Sequence, residues 1–98
     1  MSKFGELIES SIPVLLHFCD EENLICQEMN IVLQAVATDF GDKARIVKID
    51  IDKNKELSEA LKIKDVPTHI IYLNGEMKWR QTGIQTSNDL IGILQEYC

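Results

Sequence analysis

The chain has no apolar run approaching the roughly 18–20 residues that a membrane span needs. Its first residues, Met1-Ser2-Lys3-Phe4-Gly5-Glu6, lack the basic region and the long apolar core of a secretory signal. A cytoplasmic address without a membrane partner is the resulting expectation. Positive charge is also scarce: ten Lys and Arg stand against sixteen Asp and Glu, for a formal net charge of −6. With no basic stripe to neutralise phosphates, no nucleic-acid partner is expected. Cysteine is sparse and odd in number, at Cys19, Cys26 and Cys98. Three such residues do not describe a disulfide framework, and their spacing fits no zinc pattern, so neither a metal nor another cofactor is expected. Repeats, low-complexity segments and linkers are absent as well.

What remains is an ordinary globular composition. The 98 residues are 45% hydrophobic and 27% charged, which suits one domain over 1–98 with a modest core. A single unit of this size has no need of staples, and a monomer is expected.

Periodicity orders the elements. Residues 3–10 read as a short helix with Phe4, Leu7 and Ile8 on its apolar side. After Pro13, residues 14–19 form an apolar strand. Ile25, Met29, Val32, Leu33, Val36 and Phe40 recur at helical spacing, so the segment from Asn23 to Phe40 is an amphipathic helix, and Gly41 terminates it. A second strand covers Arg45 to Ile51. Asp52 or Asn54 is placed to cap a short helix through Leu57, Ala60 and Leu61. Val66-Pro67-Thr68 then leads into the β-forming run His69-Ile70-Ile71-Tyr72-Leu73, and Asn74-Gly75 is a strong hairpin signal. Glu76 to Thr82 is the return strand, Gly83 interrupts it, and Ser87 opens a last helix with Leu90, Ile91, Leu94 and Tyr97 on its apolar side. The order αβαβαββα contains a βαβ unit, which requires parallel pairing, and a hairpin, which requires antiparallel pairing. An α/β fold follows, with a central mixed sheet flanked by helices on both faces.

Asn23-Leu24-Ile25-Cys26 stands at the junction of strand and long helix. A redox protein of this layout carries Cys-x-x-Cys there, because a helix N-terminus stabilises the attacking thiolate. The resemblance is to the thioredoxin family and covers nearly the whole length. Pro13-Val14-Leu15-Leu16-His17-Phe18 looks like the family's strand leading into the active site, and Val47-Lys48-Ile49-Asp50-Ile51-Asp52 like its central strand. Val66-Pro67-Thr68 matches the apolar-Pro-Thr element, whose proline is cis in the family. Asn74-Gly75-Glu76 matches the hairpin, and Gly83 the late-strand glycine.

The departures fall in the chemistry. The family pattern Trp-Cys-Gly-Pro-Cys-Lys is replaced by Glu22-Asn23-Leu24-Ile25-Cys26-Gln27, so the attacking cysteine is missing and the resolving one is kept as Cys26. His17 aligns with the family's buried proton-accepting aspartate, Lys48 with its lysine neighbour, and Cys19 with the tryptophan that often ends the strand. The resemblance implies a thiol-disulfide protein of cell redox homeostasis, with one-thiol chemistry at Cys26 and ordinary dithiol activity very weak or absent.

Each site residue carries two readings. Cys26 is a single reactive thiol or an inert buried residue. His17, on the strand face shared with Cys19, either accepts the Cys26 proton near neutral pH or is a core histidine held by a carbonyl. Cys19 and Cys26 form a non-standard disulfide only if their Cα atoms come within about 7 Å. A site in which His17, Cys19 and Cys26 hold a metal is the rarest alternative. Pro67 carries the binding function that the resemblance implies: its loop presents the backbone of Val66, beside Thr68, to an extended peptide or protein partner. Asn23 is expected to cap the helix, and Leu24 or Ile25 to remain exposed. The alternative to redox chemistry is a redox-inactive module that binds peptides through the cis-proline groove.

Overall fold

The computed structural model describes residues 3–98. Four strands, β1 (Val14–Cys19), β2 (Arg45–Asp50), β3 (Thr68–Leu73) and β4 (Glu76–Thr82), form one sheet in the order β2-β1-β3-β4. β1 pairs in parallel with β2 and antiparallel with β3, and β3 pairs antiparallel with β4. Among the described residues the sheet is accompanied by four α-helices, α1 (Lys3–Ile8), α2 (Leu24–Phe40), α3 (Lys55–Ala60) and α4 (Ser87–Gln95), and by a short 3-10 helix at Gly41–Lys43. The strand that the resemblance makes central, β2, lies at an edge of this sheet, because its outer side has no strand to pair with among the described residues. β1 and β3 are the central pair.

Alternation sorts the side chains of β1 into two cores. Leu15 joins Met29, Leu33, Val36 and Phe40 of α2 and Leu90 and Leu94 of α4. Val14, Leu16 and Phe18 point to the other face, with Ile49, Ile70 and Tyr72, where Phe4, Leu7 and Ile8 of α1 and Leu57 of α3 cover them. Phe4 meets Tyr72 edge to face at 5.6 Å. Every residue of β1 is buried, as expected for a strand covered on both sides. Trp79 is half-buried and packs against the α2/α4 core, so it is a packing residue on the edge strand.

Local chemistry sets the element ends. Asn23 caps α2: its Oδ1 accepts from the N–H groups of Ile25 (2.8 Å) and Cys26 (3.3 Å). Gly41, at φ 54°, ends it. Thr86 caps α4 in a reciprocal capping box with Asp89, one residue before the expected start. The expected side-chain cap of α3 is absent. Asn54 occupies the cap position, but its Nδ2 donates to the Asp50 carbonyl (2.9 Å) and so holds the turn after β2 instead. At the hairpin, Asn74 (φ 53°) and Gly75 (φ 80°) form the two-residue turn. Their N–H groups donate to the carbonyls of Ser10 and Ile8, both at 2.9 Å, which docks the turn on the end of α1. The Val66–Pro67 peptide bond is cis.

The sheet register also buries two histidines. His17 lies opposite His69, and His17 Nδ1 and His69 Nε2 are 2.9 Å apart. Burial is the main reason that both lose proton affinity. His17 is lowered to about 3, with smaller contributions from His69 and Lys48, and His69 to about 4.

Two measurements test these statements. In the unfolded chain both imidazoles take up a proton near 6.5, whereas in the folded chain they do so only near 3 and 4. Their contribution to stability is complete above about pH 6.5 and is lost as pH falls toward 4, at up to about 1.4 kcal/mol per unit for each ring. Urea midpoints are therefore expected to fall steeply between about pH 6.5 and 4.5; a flat profile in that window contradicts the buried neutral pair. Leu15→Ala, at the centre of the α2/α4 core, is expected to cost about 3 kcal/mol in the same assay. A loss below about 1 kcal/mol would mean that the core is not packed as described.

Candidate functional site

The site forms where β1 leaves the sheet and α2 begins. Cys19 is the last residue of β1 and Cys26 lies in the first turn of α2. Between them, Asp20 Oδ1 accepts from Glu22 N–H (3.0 Å) and the Asp20 carbonyl from Asn23 N–H (3.0 Å). This tight acidic turn, followed at once by the Asn23 cap, folds the chain back so that the first turn of α2 faces the end of β1. The two cysteines come together there, with Cα atoms 5.8 Å apart, and form a disulfide. The expectation of a lone thiol at Cys26 is therefore corrected. Cys26 has a partner, and the partner is Cys19, not a residue at position 23. The condition set for the non-standard disulfide is met: six residues intervene, and their turn geometry brings the ends within bonding range.

Both cysteines are buried, at 7% exposure for Cys19 and 4% for Cys26, yet both line an open pocket of about 550 Å³. His17, Lys48, Asp50 and Lys53 line it as well. Of the residues singled out in the sequence, the pocket thus gathers His17, Cys19, Cys26 and Lys48. Lys53 forms a loose, exposed ion pair with Glu21 at 3.4 Å, which fixes little. Cys98 is free and exposed, remote in the fold from the disulfide, with its Sγ 3.7 Å from the Lys43 carbonyl.

His17 occupies the expected place, and burial bears on which of its two readings holds. Burial lowers its proton affinity to about 3, with smaller effects from His69 and Lys48, which makes it a weak base at neutral pH and weighs against the reading in which it removes the Cys26 proton. Nor is a backbone carbonyl its partner. That partner is His69, which the sequence reading placed in β3 without a role. Only the pairing register of β1 with β3 reveals it, since 52 residues separate the two rings.

Val66, Pro67 and Thr68 do not line the pocket, but they adjoin the disulfide by register. Phe18 pairs with Thr68, so the next step along the two antiparallel chains sets Pro67 alongside Cys19. Thr68 is buried, and its hydroxyl donates to the Asp65 carbonyl at 2.6 Å. Val66 is half-buried. The Pro67 carbonyl accepts from Gly83 N–H (2.8 Å), which ties the turn to the end of β4, next to the exposed Ile84. At the tip of α2, Leu24 is 73% and Ile25 39% exposed, so both present apolar surface beside Cys26. Among the described residues, no group of three or more His, Cys, Asp and Glu side chains is arranged to hold a metal ion, and no helix is long and apolar enough to cross a membrane.

Known proteins share this fold. The family described as Thioredoxin matches residues 1–96. A thioredoxin of Rickettsia bellii is 30% identical over 86 residues, which cover 88% of this chain and 82% of that protein. The chloroplastic thioredoxin Y of Oryza sativa subsp. japonica is 40% identical over 91 residues, covering 92% of this chain and 54% of that one. Among solved structures, a mutant thioredoxin from Halobacterium salinarum superposes with a TM-score of 0.88 at 25% identity, covering 99% of this chain and 84% of the other. With the family pattern spanning almost the whole chain and the sheet and helices shared with these relatives, the chain belongs to the thioredoxin family of thiol-disulfide redox proteins.

Proposed function

We propose that this protein exchanges thiols and disulfides through Cys19 and Cys26, a pair with six intervening residues in place of the family's two. The Cys19–Cys26 disulfide carries this reading. It supplies the second sulfur whose absence at Asn23 would otherwise leave any mixed disulfide waiting for an external thiol.

The two sulfurs have different roles. Cys26 sits in the first turn of a 17-residue helix, where the helix dipole favours a thiolate, so it is the better leaving group. Cys19 lies alongside Pro67, where an extended peptide pairing with the backbone of Val66 would deliver its sulfur. In the reducing direction, the Cys19 thiolate attacks one sulfur of a substrate disulfide. A mixed disulfide forms and the other substrate sulfur departs as a thiolate. The Cys26 thiolate then attacks Cys19 Sγ, which releases the second substrate thiolate and restores the Cys19–Cys26 bond. Two electrons pass to the substrate, and an external dithiol returns them. The exposed Leu24 and Ile25, and Ile84 next to the Pro67 turn, suit a partner with apolar side chains flanking its disulfide. The binding partner is accordingly a peptide or protein, and the reaction needs no cofactor.

Disulfide reduction with a dithiol donor tests the assignment. Cys19→Ser and Cys26→Ser are each expected to lower turnover by roughly a hundredfold or more, because each removes a sulfur that forms a bond in the cycle. Cys98→Ser is expected to leave it unchanged. If Cys19→Ser retains wild-type turnover, the pair is not the working couple. Cys19→Ser is also expected to accumulate a stable mixed disulfide at Cys26 in the presence of a disulfide reagent, seen by mass spectrometry.

Asn23→Cys tests the turn. The substitution removes the cap of α2, at a cost of about 1 kcal/mol, and places a competing thiol three residues before Cys26. Peptide mapping of the oxidised variant is expected to find Cys26 divided between Cys19 and the new thiol, with part of the activity carried by the latter. Exclusive Cys19–Cys26 pairing would mean that the tip of α2 does not hold position 23 near Cys26.

A further inference from the structure

The exchange reaction leaves one buried polar arrangement unused, the pair His17 and His69. Their Nδ1 and Nε2 atoms are 2.9 Å apart, so a single proton lies between them. His69 is fully buried, and its Nδ1 has no hydrogen-bond partner among the described residues. His17 lines the pocket that holds both cysteines, and Nε2 is its one ring nitrogen not engaged by His69.

Proton counting on these four nitrogens fixes the chemistry. A neutral pair carries two protons, one of them in the shared bond. The other resides on His17 Nε2 or on His69 Nδ1. Placing it on His69 Nδ1 buries an N–H donor without an acceptor, which is costlier than burying a bare lone pair. A cationic pair carries three protons and must occupy that same position. The unpartnered His69 Nδ1 thus disfavours both the alternative tautomer and the cation.

We infer that His69 is a positioning residue for the exchange reaction: by donating its Nε2–H to His17 Nδ1, it sets His17 as a neutral donor whose Nε2–H serves the Cys26 thiolate. The inference deepens the exchange reading and rests on it. In this arrangement the proton of the Cys26 thiol leaves to solvent and the imidazoles exchange none. A hydrogen bond to the charged form lowers the thiol pKa without adding a buried charge. Lys48 of β2 and Lys53 beyond it add favourable charge at the same pocket, while Asp20, Glu21 and Asp50 oppose it. Those groups are common to the wild type and to variants at position 69, so a comparison between them isolates the imidazole pair.

Two readouts test it on the reduced, full-length protein. Imidazole nitrogen NMR is expected to find both rings in the Nε2–H form and neutral between about pH 5 and 8. Alkylation of Cys26 across pH, assigned by mass spectrometry, is expected to slow roughly tenfold at neutral pH in His69→Leu, equivalent to about one unit in thiol pKa. His69→Gln, which retains an N–H donor, is expected to stay near the wild-type rate. A His17 Nδ1–H tautomer, equal alkylation in His69→Leu and the wild type, or His69→Gln behaving like His69→Leu overturns the inference. If His69→Leu does not fold, the tautomers of the wild type and the rate in His69→Gln decide. The tautomers are read whether or not the cysteines pair. A reversed assignment beside a normal Cys19–Cys26 bond therefore removes this inference alone, and cysteines that never pair remove the exchange reading.

Discussion

The pairing of β1 between β2 and β3 is the constraint on which the rest depends. β1 is buried along its whole length, and its alternation divides the protein into two cores. Leu15 anchors the α2/α4 side, and Val14, Leu16 and Phe18 the α1/α3 side. A shift of one residue in this strand would exchange the two faces and expose neither, but it would place Leu15 against α1 and remove His17 and Cys19 from the side that faces α2. The hydrophobic register and the placement of the redox residues are therefore one and the same property.

From that register the site follows in steps. β1 ends at Cys19, an acidic turn reverses the chain, and Asn23 caps α2 so that Cys26 meets Cys19. Opposite Phe18 stands Thr68, which brings the cis Pro67 beside the disulfide. Asn23 has taken on a structural task at the position where the family carries its attacking thiol. Its side-chain oxygen engages two of the helix N–H groups that a thiolate at this position would otherwise attract. Absence of the thiol and presence of the cap are linked in one residue, and in the proposed exchange Cys19 provides the sulfur instead.

The polar centre is built with unusual economy of charge. Where the family places a buried carboxylate, this chain has a neutral imidazole bonded to a second imidazole, both with proton affinity lowered by burial. A buried carboxylate would oppose a nearby thiolate; a neutral N–H does not. Of the charged groups in the pocket lining, Lys48, Lys53 and Glu21 are exposed, so water screens them, and Asp20 and Asp50 are half-buried.

The order of elements, the two-residue hairpin turn, the cap at Asn23 and the exposed apolar tip at Leu24 and Ile25 were legible from the chain alone. Each is a local property: periodicity, turn chemistry and capping act over a few residues. The edge position of β2 and the His17–His69 pair were not legible, and the Cys19–Cys26 bond was legible only as one alternative, conditional on a distance that the chain does not state. Asn54 shows the same limit on a small scale, since its side chain had two polar partners within reach and the fold supplied the Asp50 carbonyl. Linear order carries no distance between residues 17 and 69, nor does it state how tightly a turn of six residues closes. Those quantities are set when strand pairing and helix packing bring distant backbone into register, and it is there that the chemistry of this protein was decided.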